Sequence, residues 1–346
     1  MAEKTLAVKY RPKTFEDVTE QNSVKVILQQ QLKTGTIKNA YLFVGSAGTG
    51  KTTCARIFAN EINNGEGNPI EMDAASNSSV EDVRNIIQQA KTKAIDSEYK
   101  VFIIDECHAI SNTGWQAFLK LIEEPPAKSI FIFCTTDPQK IPKTILSRVQ
   151  RYDFQRISED GISNRLMRIL SKEGLINSAI DSHEAVEYIA KLAEGGMRDA
   201  ISLMDKCLAY NQELTLQNVV ATLGSVDYET MFHLNNSMFD GNVKEVVQTI
   251  ETIHNSGKDL KQFLKAYCNF LLDIMKFSFG CDFKLMRLPK LEIYVKELES
   301  YGDFEFDYCM YLLEQGSQLC TDIKYSSYVK DDIEAKLMLI CIERKE

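Results

Sequence analysis

No apolar run in this 346-residue sequence reaches the roughly 18 residues that a membrane-spanning helix needs. The opening residues, Met1-Ala2-Glu3-Lys4-Thr5, contain no apolar core of a signal peptide. A cytoplasmic location is therefore expected. Nine cysteines include no C-x-x-C pair, so a zinc site has no spacing to rest on. A chain of this length buries its own core without staples, and the thiols are expected to be reduced, mostly buried small hydrophobes. The four histidines share no spacing with cysteines or carboxylates that would make a metal or catalytic set, and are expected to be structural. Repeats and low-complexity linkers are absent. A hydrophobic fraction of 44% with 26% charged residues excludes disordered and collagen-like classes.

Basic charge is also in short supply, with 40 Lys and Arg against 49 Asp and Glu, a net of −9. Taken whole, that argues against a general nucleic-acid binder. The deficit is local, however. Residues 1–155 carry a net +1 and residues 156–346 a net −10. A polyanion would have to meet the first half.

That first half alternates strand-like and helix-like signals. Tyr41–Val44, Val101–Ile104 and Ile130–Cys134 are continuous apolar runs, the pattern of buried parallel strands, and Val149–Phe154 resembles a closing strand. Between them Val80–Lys93 and Trp115–Glu123 read as helices, the latter with Trp115, Phe118, Leu119 and Ile122 on one face and a stop at Pro125-Pro126. Strands alternating with helices predict an α/β domain on a parallel sheet, residues 1–155. After Phe154 only helical periodicity remains. Gly195-Gly196, Asp240-Gly241-Asn242, Asn255-Ser256-Gly257 and Gly280 punctuate it, which predicts a small helical domain at 156–220 and a larger one at 221–346.

The chemistry-bearing pattern is Gly45-Ser46-Ala47-Gly48-Thr49-Gly50-Lys51-Thr52, a fit to G-x-x-x-x-G-K-[ST]. Backbone N–H groups must wrap the phosphates, so the side chains stay small. Lysine supplies charge to the β- and γ-phosphates, and the threonine hydroxyl reaches Mg²⁺. A strand precedes the loop and a helix, Thr53–Asn60, follows it, aiming its N-terminus at the phosphates. Asp105-Glu106 ends another strand, where the aspartate can hold Mg²⁺ and the glutamate can act as general base on the attacking water. An N-cap pair is the other reading of those two residues. Thr135-Thr136 ends a third strand on the same edge of the sheet, where a hydroxyl can position water; turn chemistry before Asp137-Pro138 is its alternative. Arg148 and Arg198 could each neutralise γ-phosphate charge, though as lone arginines both default to surface charges.

These motifs occur in an order that resembles the bacterial DNA polymerase III gamma/tau family, the ATPase subunits of a clamp loader. The segments that carry the likeness are Lys9–Phe15, the phosphate loop, Asp73–Asn77, Asp105–His108, Leu119–Pro126, Thr135–Pro138, Ser147-Arg148 and Gly195–Ala200. The resemblance runs from about residue 7 to 207, and beyond 220 it extends to length and helicity alone. It implies an AAA+ ATPase that loads a sliding clamp onto primer–template DNA. It further implies that Lys51 and Thr52 bind phosphates and Mg²⁺, and that Asp105 and Glu106 are the Walker B acid and the base. Thr136 would be sensor 1, Arg198 sensor 2, Arg148 a finger reaching a neighbour's ATP, and Tyr10 and Arg11 would lie near the adenine. Thr53 would complete the nucleotide contacts. Hydrolysis would then need a ring-like, pentameric assembly with other clamp-loader subunits, since an isolated chain lacks a complete site. Two departures stand out. The family's four-cysteine zinc module would fall at Ile62–Pro69, which holds no cysteine, so zinc is not expected; and its usual Ser-Arg-Cys reads Ser147-Arg148-Val149. A short form lacking the tau-like extension is also expected, in the cytoplasm of a bacterium or of a host cell if virus-encoded.

Arg84, Gln88 and Lys91 share one helix face, and the resemblance places Arg84 and Lys91 on the DNA backbone, a contact that needs charge and not base-reading side chains. It also places a clamp-contacting apolar element near Ile110 or Trp115, although a stripe such as that of Trp115 is more often core than interface. Two rival functions stay open: an AAA+ motor of another class, such as a helicase loader or branch-migration motor, and a structural clamp-loader subunit that does not hydrolyse ATP. The Glu-Glu-Pro-Pro and Ser-Arg segments disfavour the first, and intact Lys51, Asp105 and Glu106 the second.

Overall fold

The expected apolar runs form the centre of a parallel sheet. The computed structural model describes residues 5–77, 80–94, 96–176, 179–223, 228–287, 291–299 and 303–343. They divide into two compact units: Met1–Ile176 with Ile189–Asp205, and Asn177–Tyr188 with Lys206–Glu346.

In the first unit, α1 (Leu6–Lys9) and α2 (Asn22–Thr34) precede β1 (Ala40–Val44), α3 (Lys51–Ile62), β2 (Ile70–Asp73), α4 (Val80–Ala90), β3 (Lys100–Asp105), α5 (Asn112–Glu123), β4 (Ser129–Thr135), α6 (Lys143–Leu146), β5 (Gln150–Asp153) and α7 (Glu159–Glu173). The five strands are all parallel in the order β2-β3-β4-β1-β5. Register sets Val44 beside Thr135 and Asp153, and Asp73 beside Asp105, so the carboxyl ends line up on one edge. Strand side chains alternate between faces. Leu42, Phe102, Ile104, Phe131 and Phe133 form one buried cluster with residues of α4, α5 and α6. Tyr41, Phe43, Val101, Ile103, Ile130 and Ile132 form the other with residues of α2 and α3. Every residue of β1 and β4 is buried, which is why both read as unbroken apolar runs. Strand β2 is an edge strand with one buried residue, Met72, and lacks such a run. Helix α5 begins at Ser111, whose Oγ accepts the Gly114 N–H at 3.2 Å, an N-cap.

Two helices span the division, α8 (Ala179–Leu192) and α9 (Met197–Tyr210). The second unit adds α10 (Leu216–Leu223), α11 (Tyr228–Phe239), α12 (Val243–Asn255), α13 (Leu260–Ser278), α14 (Val295–Glu299), α15 (Asp303–Asp322) and α16 (Val329–Glu343). The breaks expected from sequence are helix boundaries. Asn242 and Asp259 cap α12 and α13 through their side chains, and Gly241 and Gly257 adopt positive φ of 63° and 77° between helices. The core gathers on α13, where Phe263, Tyr267, Phe270 and Leu271 pack with Leu234, Val246, Leu312 and Ile333. Among the described residues no helix is long and apolar enough to cross a membrane.

Candidate nucleotide site

The loop 45–50 leaves the carboxyl end of β1 and enters α3 directly. Among the described residues none of the backbone N–H groups of residues 46–50 is paired. They form an anion-seeking nest at a helix N-terminus. Small residues are needed here for measurable reasons. A Cβ on Gly45 would lie 2.5 Å from the Phe154 carbonyl oxygen. One on Gly48, at φ 72°, would lie 3.0 Å from Gly196 Cα. The loop is thus seated on two backbones. The Met197 N–H also donates to the Gly48 carbonyl at 3.0 Å, so α9 starts against the phosphate loop.

Lys51 is buried, and its Nζ donates to the carbonyls of Gly45 and Ser46, both at 2.8 Å. Burial holds its ammonium below the usual lysine range, opposed in part by charge on Glu106 and Asp105. Thr52 Oγ1 donates to Asp105 Oδ2 at 2.7 Å across the strand edge. A hydroxyl and a carboxylate facing each other are hard oxygen donors of the kind Mg²⁺ takes, and these residues fit that ion.

Glu106 follows at φ 45°, a left-handed conformation rare outside glycine, with its N–H on Asp105 Oδ1 at 3.0 Å. This turn aims the carboxylate along the edge. Thr136 Oγ1 donates to Glu106 Oε2 at 3.1 Å, and His108 Nδ1 lies 3.2 Å from the same oxygen and 3.2 Å from Thr135 Oγ1. His108, expected to be structural, is therefore a direct partner of the acidic residue. Nothing in its sequence spacing signalled this, because the contact depends on the 3-10 turn Cys107–Ala109 after Glu106. Gln21 was likewise missed. Buried at φ 51°, it donates to the Thr49 and Gln155 carbonyls at 3.3 and 2.7 Å and accepts the Gln155 N–H, pinning the loop to the segment after β5. The neighbouring Glu20 holds the N–H and hydroxyl of Ser158.

The structure thus brings together Gly45, Ser46, Ala47, Gly48, Thr49, Gly50, Lys51, Thr52, Asp105, Glu106 and Thr136, with Thr53 in the first turn of α3. Arg198 is exposed in the first turn of α9, next to Met197. Tyr10 is tied to α7: its hydroxyl donates to Glu173, which also pairs with Lys9 at 2.6 Å, and its carbonyl accepts Arg165 at 2.9 Å. The Glu173 hydrogen bond raises the Tyr10 phenol above its ordinary range. Arg11 is half-buried beside it.

Arg148 is set apart. It precedes β5, whose Gln150 pairs with Tyr41 near the start of β1, so it sits at the amino edge of the sheet and the phosphate loop at the carboxyl edge. There its guanidinium pairs with Glu123 at 2.7 Å and donates to the Thr144 carbonyl at 2.8 Å. Ile110 and Trp115 are also elsewhere. Expected at a clamp-facing surface, they are 5% and 2% exposed. Trp115 packs on Phe118 and Phe133 because its stripe faces the sheet, so neither residue offers a contact surface. Arg84 and Gln88 are exposed on α4, opposite the buried Val83, Ile86 and Ala90, while Lys91, expected on the same helix face, is exposed in the turn after α4 ends at Ala90.

Family models match consecutive stretches of the chain: residues 68–158 to "DNA polymerase III, delta subunit", 161–213 to "DNA polymerase III clamp loader subunit, ATPase lid domain", and 214–293 to "DNA polymerase III subunits gamma and tau domain III". The chain is 36% identical over 291 residues to the DNA polymerase III subunit tau of Bacillus subtilis (strain 168), covering 78% of this chain and 51% of that protein. Against the subunit tau of Escherichia coli (strain K12) the identity is 35%, covering 76% and 44%. Against the gamma/tau subunit of Mycoplasma genitalium it is 30%, covering 88% and 54%. The chain spans about half the length of the curated relatives it matches. Among solved structures, the Thermotoga maritima RuvB Holliday junction branch migration motor aligns with a TM-score of 0.52 at 20% identity, over 66% of this chain and 79% of that one. This is a likeness of fold alone, of the AAA+ type. By these matches, the chain belongs to the DNA polymerase III gamma/tau family of clamp-loader subunits.

Proposed function

We propose that this chain is the ATP-hydrolysing motor subunit of a sliding-clamp loader. The observation that carries the reading is the row of groups at one sheet edge: unpaired loop N–H groups, Lys51, the Thr52–Asp105 contact and the Thr136–Glu106 contact. Lys51 would leave the Gly45 and Ser46 carbonyls for the β- and γ-phosphates. Thr52 and Asp105 would hold Mg²⁺, which when bound neutralises charge on the phosphate oxygens. Glu106 would take a proton from the attacking water, released for that task when Thr136 turns toward the γ-phosphate. Arg198, carried on α9, would reach the phosphates from the side of Gly196. Tyr10 and Arg11 would border the adenine.

Arg148 would act on a neighbouring subunit's ATP. Its place on the sheet edge opposite its own phosphate loop supports that reading. The motor would then work within a ring-like, pentameric assembly of family subunits, with residues 1–155, 156–220 and 221–346 as ATPase, lid and collar. Partners would be the other loader subunits, the clamp and primer–template DNA, the last met by Arg84 and Lys91, in a cytoplasmic setting.

The test is ATP turnover by the chain reconstituted with clamp, partner subunits and primed DNA. Lys51→Ala should abolish its share of turnover, and full activity would overturn the assignment and favour a non-hydrolysing subunit. Failure of the ATP-bound assembly to capture clamp would favour a motor of another class. Mixing Lys51→Ala with Arg148→Ala chains should restore part of the turnover if the finger acts between subunits.

A further inference from the structure

The second unit holds a pair of thiols that the nucleotide chemistry does not use. Cys268 lies on the buried face of α13, and Cys320 lies half-buried near the end of α15. Cys268 Sγ rests against α15 at Gly316, where a Cβ would come within 2.8 Å of the sulfur. Cys320 is one helical turn beyond Gly316 on the same face. The glycine lets the Cys268 sulfur approach the α15 backbone on the face that carries Cys320.

We propose that Cys268 and Cys320 form a reversible disulfide between α13 and α15 under peroxide, making this helix pair a redox modification site. The chemistry balances. The Cys320 thiolate attacks one peroxide oxygen, giving a sulfenic acid and releasing hydroxide. The Cys268 sulfur then attacks the Cys320 sulfur, forming the S–S bond and expelling the sulfenic oxygen as water. In sum two thiols and one hydrogen peroxide give one disulfide and two waters, and a dithiol reductant reverses the result.

Reactivity is divided suitably between the two. The neighbouring Cys268 thiol, aided by Lys265 and opposed by burial, lowers the Cys320 thiol to about 7. The neighbouring Cys320, then burial, raises Cys268. Cys320 is thus the attacking thiol that solvent reaches, and Cys268 the protected resolving thiol. Burial pushes Cys54, Cys107, Cys134 and Cys207 upward, which leaves them poor competitors.

The experiment treats the full chain with hydrogen peroxide, then blocks and digests it for mass spectrometry. A peptide joining Cys268 to Cys320 within one chain, reversed by dithiothreitol, is expected, with a loss of two free thiols and a higher Tm for the oxidised form. At pH 7 Cys320 should alkylate about threefold faster than an ordinary thiol of pKa about 8.5, its larger thiolate fraction being partly offset by lower nucleophilicity. Cys268→Ser should leave Cys320 as a dimedone-reactive sulfenic acid, and Cys320→Ser should abolish both products. A wild-type chain whose peroxide-treated digest lacks the Cys268–Cys320 peptide, or links Cys320 to another cysteine, overturns the proposal. The wild-type measurement holds whether or not either variant folds.

Discussion

The two units bury the same kinds of side chain around very different polar groups. In the first, a parallel sheet brings the ends of β1, β3 and β4 to one edge, where Lys51, Thr52, Asp105, Glu106 and Thr136 meet although they come from segments up to 85 residues apart. In the second, the buried polar groups secure the bundle itself. Asp273, fully buried on α13, accepts the Arg287 N–H at 2.9 Å, and Asn235 accepts the Tyr267 hydroxyl at 2.8 Å. Strand ends converge and leave groups facing a ligand, while packed helices use their polar groups on one another. Chemistry is therefore expected of the first unit, and surface and rigidity of the second.

The comparison breaks most readily on stability. Phe270 is fully buried at the centre of α13. Phe270→Ala should cost the second unit roughly 4 kcal/mol, read as a lower denaturation midpoint, with turnover per folded assembly little changed. A collapse of turnover at unaltered stability would mean that the bundle takes part in the chemistry. Glu106→Gln should do the reverse, lowering ATP turnover about 10²-fold while nucleotide binding and the unfolding midpoint stay put. A stability loss as large as that of Phe270→Ala would make Glu106 a structural residue. Arg84→Ala should have the smallest effect. DNA-stimulated ATPase falls, basal ATPase persists, and the salt dependence of DNA binding loses about one unit of slope. Unchanged stimulation with primed DNA and clamp would remove α4 from the DNA surface.

Much of this division was legible before any coordinates. The apolar runs at Tyr41–Val44, Val101–Ile104 and Ile130–Cys134 are strands because both faces of the sheet are covered, so burial left a continuous pattern. The phosphate loop and Asp105-Glu106 were legible because their geometry is local. What escaped depends on distant neighbours. Strand β2 sits at the edge, where Ile70, Glu71 and Asp73 stay partly or fully open, so no run marks it. The bonds of Gln21 to Gln155, and of His108 to Thr135, join residues 134 and 27 positions apart, and no spacing rule encodes them. The Trp115 stripe marked an apolar helix face, but periodicity does not tell whether such a face meets a sheet or a partner. The packing against Phe133 decides for the sheet.

The contact between Gly48 and Gly196 has a mechanical consequence. With no side chain on either residue to yield, and with the Met197 N–H fixed to the Gly48 carbonyl, the phosphate loop and the first turn of α9 behave as a hinge with no slack. A displacement of the loop by a fraction of an ångström would have to reappear at Arg198. Occupancy of the loop would thereby become a change of angle in the helix, and a single methyl group at Gly48 would jam the joint.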